Sequence, residues 1–201
     1  MLALTMWEPW GSALVYGPKD VENRPWKPPF KVSGERVLGS WVLIHTGQTW
    51  DSKHSRSALE QWSVAEPETM PSVLVEALQW TRRLNLEEMT DRRRCLARYG
   101  AFIGAVKFAG ALEDWASRGP TVVCASNEAL LAKYEIAARA DGVPWWSRDE
   151  IGWVREDSVR FPAPVPYRRG LQKLWTPPKD VVETCRAQLD WALRGRGEET
   201  L

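Results

Sequence analysis

At 201 residues with a formal net charge of +1, the chain has the size of one ordinary domain and is long enough to bury a core. The near-neutral balance argues against a protein that grips long duplexes through many phosphates, unless its basic residues are clustered; a short oligonucleotide, a single flipped base or a free nucleoside suits it better. No apolar run approaches the roughly 20 residues of a membrane span, and the first residues lack the basic and long apolar regions of a signal peptide, so we expect a soluble, cytoplasmic protein with no membrane partner.

Residues 2–6 read as a short extended run. Pro9 then suits the first turn of a helix over 9–16 and Gly17 its stop, with Trp10, Ala13 and Leu14 on one face. The next stretch, GPKDVENR over 17–24, places the ammonium of Lys19, the carboxylate of Glu22, the carboxamide of Asn23 and the guanidinium of Arg24 within a few residues of a helix C-terminus. The negative end of the helix dipole favours a cation there, which Lys19 supplies. Alternation of Val21 and Asn23 against Glu22 and Arg24 marks the start of a strand and sends Glu22 and Arg24 to one side, to pair or to hold one ligand together. Residues 25–39, rich in Pro, Lys and Gly, read as a loop around this polar stretch.

An apolar strand over 41–44 ends at His45, which fits either a satisfied structural histidine or a functional one. A helix over 52–62 carries His54 in its first turn; His45, Asp51 and His54 match no metal-site spacing, so no metal is expected. Residues 64–100 are mostly helical by period and carry Arg82, Arg83, Arg92, Arg93, Arg94 and Arg98 among Glu87, Glu88 and Asp91. This cluster is either a solvated helix face laced with charge pairs or a phosphate-contacting patch. A strand follows over 101–112, whose Gly104 and Gly110 allow bending or close backbone approach. After a short β-prone run over 121–125, Ser126-Asn127-Glu128 opens a helix that Asp141-Gly142 stops. A strand over 152–161 runs into Pro162, Pro164 and Pro166, which force an extended edge. Pro177-Pro178 precedes a C-terminal helix over 179–194 with Val182, Cys185, Leu189 and Leu193 on one side, and 194–201 is expected to fray.

Thirteen tryptophans are the compositional outlier. Most belong in a core, but Trp7, Trp10, Trp26, Trp145 and Trp146 sit beside prolines or in loops and are candidates for a platform on which bases stack. Cys95, Cys124 and Cys185 are odd in number and far apart, as reduced thiols are. There is no GxSxG elbow, Walker loop, Rossmann glycine fingerprint, HExxH or CxxC, and no cofactor is expected.

GxKxxExR, here Gly17, Lys19, Glu22 and Arg24, behind a Pro-Trp helix resembles the signature of the ASCH domain, a branch of the PUA-like superfamily. Residues 40–47 (SWVLIHTG), 104–108 (GAVKF), 151–154 (IGWV), 162–166 (PAPVP), Gly170 and Leu174-Trp175 are similar to that family's later strands, in order. The resemblance implies an α+β fold: a small mixed PUA-like β-barrel with peripheral helices over 1–176, a helical insertion over about 52–100, a turn at Gly170 before a last strand closing at Trp175, and an added C-terminal helix and tail over 177–201. It also brings His45 near the signature.

The family handles RNA and modified nucleotides, so the resemblance implies a module that binds single-stranded RNA or DNA, or a modified nucleobase, in a cleft beside the signature. On that reading Lys19 and Arg24 meet phosphate or carbonyl oxygens, and Glu22 and Asn23 meet base edges. Trp7, Trp10 or Trp26 stacks, and His45, Arg93 and Arg94 complete the candidate set. The alternative is a small hydrolase, either an amidohydrolase of the N4-acetylcytidine type with Lys19 as its catalytic lysine or a ribonuclease. The amidohydrolases carry threonine where this chain has Glu22, and a carboxylate three residues from Lys19 favours its charged form. Glu87 and Glu88 are the available acidic partners for that chemistry. A third reading is a protein-interaction adaptor working through the C-terminal helix and exposed tryptophans.

Overall fold

The computed structural model of the chain describes residues 1–50, 55–65, 68, 100–115, 117–140 and 142–198. Over these the chain is α+β. Strand β1 (Ala3–Glu8) leads through helix α1 (Trp10–Tyr16) to β2 (Val21–Arg24), and a hairpin of β3 (Lys31–Val32) and β4 (Glu35–Arg36) precedes β5 (Trp41–Trp50). After α2 (Ser55–Ala65) come β6 (Ala101–Trp115), β7 (Gly119–Ala125), α3 (Glu128–Arg139), β8 (Ile151–Pro166), β9 (Leu174–Trp175) and α4 (Lys179–Glu198). The second half of the expected insertion, with Arg93, Arg94 and the rest of the arginine cluster, Glu87, Glu88 and Cys95, lies outside the described residues, as does His54.

Seven strands form one sheet in the order β2-β8-β6-β5-β1-β9, with β7 pairing on the distal part of β6 beside β5. The ladder of β1 with β5 is parallel and those of the remaining pairs are antiparallel. The sheet is not closed into a barrel: among the described residues β2 has a ladder with β8 alone. Its free flank nonetheless faces β1, because Arg24 Nη2 donates to Thr5 O across the gap at 3.3 Å. Pro162, Pro164 and Pro166 lie where β8 has outrun β2, whose ladder stops at Val154, so their missing N–H groups interrupt nothing on that flank. Gly104 meets the expectation of close approach, since a Cβ there would lie 2.3 Å from Val159 O.

Helix α1 is short, and packing rather than propensity sustains it. Residues 11–15 are all buried, Ala13 in one hydrophobic cluster with Trp62 and Val154, Leu14 and Val15 in another with Ile44, Phe108 and Trp153. The helix is therefore buried all round rather than along a single face, with Ser12 the buried polar member. Both helix ends are charged from outside the helix. Glu8 Oε1 accepts from Ser12 Oγ at 2.8 Å and Oε2 from Ser12 N at 3.2 Å, while Arg155 Nη1 donates to Leu14 O and Gly17 O, each at 2.8 Å. Arg155, not Lys19, is thus the cation at the terminal carbonyls. Gly17 does stop the helix, but with φ of −119° it needs no left-handed backbone. Its hydrogen is required because a Cβ would stand 2.2 Å from Trp62 Cε2, so α2 packs directly on the turn that launches the signature.

Two expectations change. The 25–39 stretch contains the β3–β4 hairpin, turned by Ser33 and Gly34 with φ of +50° and +84°, the two-residue turn that twists with its strands. The C-terminal helix does not fray at Arg194; it runs to Glu198, where Arg196 pairs with Asp157 at 3.0 Å and also donates to Ser158 O. Its buried side carries Val182, Cys185 and Leu189, of which Cys185 and Leu189 cluster with Phe102, Ala105, Val159 and Phe161 on the sheet. Cys124 and Cys185 are free thiols; burial pushes the pKa of Cys185 up to about 12 and raises that of Cys124.

Leu189→Ala should lower unfolding stability by about 2–5 kcal/mol in urea titration, as core truncations do. Trp191→Ala, on the exposed side of the same helix, should change it by less than about 0.5 kcal/mol.

Candidate functional site

The signature folds into a closed charge cluster. Lys19 is 1 % exposed, and its contacts are those of an ammonium: Nζ donates to Val21 O, lies 2.9 Å from Glu22 Oε2 and sits 5.8 Å from the centre of the Trp10 ring. Glu22, 6 % exposed, uses its other oxygen on Arg24, with Oε1 2.9 Å from Nε. The strand alternation read from Val21 to Arg24 is therefore correct, and Glu22 and Arg24 do pair. The pair is an ionic contact rather than an aligned hydrogen bond, because the buried Nε–H points at no acceptor. Arg24 is only partly covered, and among the described residues its guanidinium makes one aligned hydrogen bond, to Thr5 O.

Asn23 has a different task from reading a base edge. Its Nδ2 donates to Trp145 O and its Oδ1 accepts from Ser147 N, each at 2.9 Å, which latches the loop before β8 onto β2. That loop carries the tryptophan pair inward. Trp145 and Trp146 are both buried, Trp145 edge-on to Trp10 at 6.4 Å and Trp146 donating from Nε1 to Glu150 O at 3.0 Å, so neither is a stacking platform. Trp26 is partly buried and set edge-on against Trp153 at 4.6 Å, with Trp153 Nε1 donating to Trp26 O. Of the five candidate stackers, Trp10 remains at the edge of the cluster, and Trp7, 56 % exposed, stands two residues along β1 from the carbonyl that holds Arg24.

His45 meets the same Thr5 whose carbonyl holds Arg24, but its ring is enclosed in an aromatic pocket. It is fully buried between Phe102, Tyr167 and Trp175, with ring centres 5.0 to 6.2 Å away. Its Nε2 donates to Tyr167 O at 2.7 Å, and its Nδ1 faces Thr5 Oγ1 at 3.4 Å, the same hydroxyl that accepts from Trp175 Nε1. Those partners suit a neutral imidazole, and burial lowers its pKa below the ordinary range against the weaker opposing effect of the Tyr167 hydrogen bond.

Residues that pattern reading did not single out complete the cluster. Glu150, half-buried at the start of β8, has its carboxyl raised above the usual range by burial first, then by the charges of Asp149 and Glu22, with Arg24 and Lys19 opposing. Asp20 turns away from the signature: its Oδ2 accepts from Tyr134 OH at 2.7 Å, and burial together with that carboxylate raises the tyrosine pKa. For Glu8 a signal existed, a carboxylate four residues before Ser12 at a helix start. Glu150 had none, because only the fold brings it from more than a hundred residues away.

No group of three or more metal-ligating side chains occurs among the described residues. Two open hollows, of about 360 and 390 Å³, lie by Trp175 and between β7 and α3, and neither is lined by a signature residue. No described helix is long and apolar enough to cross a membrane. Comparison of the sequence with family models and with curated proteins gives no match.

Removing one member of a buried pair leaves the other charge uncompensated, so Glu22→Ala should cost about 3–5 kcal/mol of stability in urea unfolding. The double change Lys19→Met/Glu22→Leu should recover part of it. For His45, a folded-state pKa below the unfolded value means the unfolded chain binds the extra proton. Stability is then full above about pH 6.5 and is lost as pH falls through the folded pKa. His45→Gln should flatten that acid limb of the thermal-midpoint profile.

Proposed function

We propose that this protein is a nucleic-acid-binding module of the ASCH type, on a PUA-like scaffold, that recognises single-stranded RNA or DNA or a modified nucleobase beside the signature. One observation carries the reading. Arg24 has five N–H groups in a fixed fork, is held in place by Glu22 and Thr5, and aligns one of those groups on an acceptor among the described residues. The Nε–H is buried against Glu22, and the remaining Nη donors are left for phosphate or carbonyl oxygens where the side chain, 18 % exposed, reaches an edge that also holds Trp10 and exposed Trp7. Lys19 and Glu22 then act from behind, fixing the guanidinium. Stacking on an aromatic ring adds about 1–3 kcal/mol per base with little sequence preference.

The lysine contacts weigh against the hydrolase. A nucleophilic or basic lysine must present a lone pair, and Lys19 is closed in by a carboxylate, a carbonyl and an aromatic face. The sheet is open, but among the described residues the Arg24 guanidinium bridges from β2 to Thr5 of β1, on the flank where a ladder closing the proposed scaffold would run.

Titration with short single-stranded RNA and DNA should quench tryptophan fluorescence saturably, with no new product by mass spectrometry. Arg24→Gln should weaken binding by about 1.5–3 kcal/mol, the range for hydrogen bonds to a charged group. Unchanged affinity and salt slope in that variant would exclude the assignment. A deacylated nucleoside or cleaved RNA, formed by the wild type and absent with Lys19→Met, would replace it with the hydrolase.

A further inference from the structure

The β3–β4 hairpin is an unexplained concentration of positive charge on an exposed ring. Its register sets Lys31 directly opposite Arg36. Like charges at directly opposed positions destabilise a strand pair, and here no carboxylate among the described residues offsets them. The one acidic residue of the hairpin, Glu35, is taken by the amino group of Met1 at 2.9 Å. Phe30, 68 % exposed, is near both cations, with Lys31 Nζ 6.0 Å and Arg36 Cζ 5.5 Å from its ring centre. The arrangement repeats three residues earlier in the chain: Lys27 Nζ stands 5.8 Å from the ring of Trp115, which is 48 % exposed, although Lys27 also pairs with Glu113.

We infer that the β3–β4 hairpin is a second contact for single-stranded nucleic acid, with a base stacked on Phe30 and a backbone phosphate held between Lys31 and Arg36. This rests on the function proposed above and extends it from one nucleotide to a strand. A flat π face flanked by two unneutralised cations is complementary to a nucleotide, whose base is flat and whose phosphate is anionic. The hairpin is also tied to the signature. Six residue steps separate Arg24 from Phe30, a reach of at most about 20 Å. Three of the intervening residues are prolines, Pro25, Pro28 and Pro29, and Trp26 is pinned to Trp153 in between. A lipid surface is the poorer match, because the hairpin exposes one large apolar side chain and Val32 is partly buried, short of the continuous apolar face that interfacial insertion requires.

The test uses the full chain and a fluorescein-labelled single-stranded RNA dodecamer of mixed sequence, with the DNA equivalent beside it, titrated from low to physiological salt. Phe30, Lys31 and Arg36 are exposed, so Phe30→Ala and Lys31→Ala/Arg36→Ala should keep the wild-type circular dichroism and thermal midpoint. Phe30→Ala should weaken dodecamer binding at least roughly fivefold, the low end for losing one stacked base. The double variant should reduce the slope of log K on log salt by about 0.7, the value for one phosphate contact on a single strand. If the wild type binds, Arg24→Gln weakens it, and both hairpin variants keep wild-type affinity and slope, the hairpin contact is wrong while the signature site stands. A wild type that binds neither dodecamer overturns both. Binding to phosphatidylserine vesicles that Phe30→Ala abolishes, with no binding to either dodecamer, overturns the contact in favour of a membrane surface.

Discussion

A buried ammonium is the constraint around which this structure is arranged. Removing an ion of that kind from water carries a penalty of several kcal/mol, which only close and well-placed partners offset. Lys19, in the turn after α1, has three. The start of β2 brings both the Val21 carbonyl and the Glu22 carboxylate, and the first residue of α1 brings the Trp10 ring. Holding Lys19 inside therefore fixes the helix, the turn and the edge strand relative to one another. The guanidinium of Arg24 inherits its position from the same carboxylate.

Helix α1 is the second organising element, because it separates two hydrophobic clusters and contributes to both. A seven-residue helix is marginal by itself. Here Glu8 closes its first turn, Arg155 closes its last, and Trp62 packs on Gly17 immediately beyond. Arg155 is supplied by β8, the strand that also pairs with β2, so one long strand stabilises both ends of the segment that carries the signature. The third cluster, under α4, contains the aromatic neighbours of His45, Phe102, Tyr167 and Trp175.

Much of this was legible in the sequence because it depends on local chemistry. Proline and glycine bracketed α1, alternation revealed β2, and Asn127 announced α3, where its side chain does accept from Leu130 N. Strand periodicity placed Glu22 and Arg24 on one side, to pair or to hold one ligand, and the fold shows the pair. What escaped was either a contact between distant residues or a choice between two uses of one residue type. Nothing near Asn23 shows that its amide will hold the 145–147 loop, and nothing near Trp145-Trp146 shows that a loop pair will turn inward. His45 is adjacent to the signature through Thr5, yet its ring points to the opposite layer, a distinction that one strand's sequence does not contain. The β3–β4 hairpin was missed for another reason: abundant proline and lysine masked a Ser-Gly turn flanked by only two paired residues on each side.

Arg24 has a double position. It spans from the free edge of β2 to β1, and it is also the group with donors to spare at the site. On the function proposed, cohesion of the sheet and recognition at its rim would draw on one guanidinium. An acceptor competing with the Thr5 carbonyl would then loosen the seam as it bound, and one leaving that carbonyl in place would tighten it, so that retuning selectivity at this position would retune the rigidity of the sheet with it.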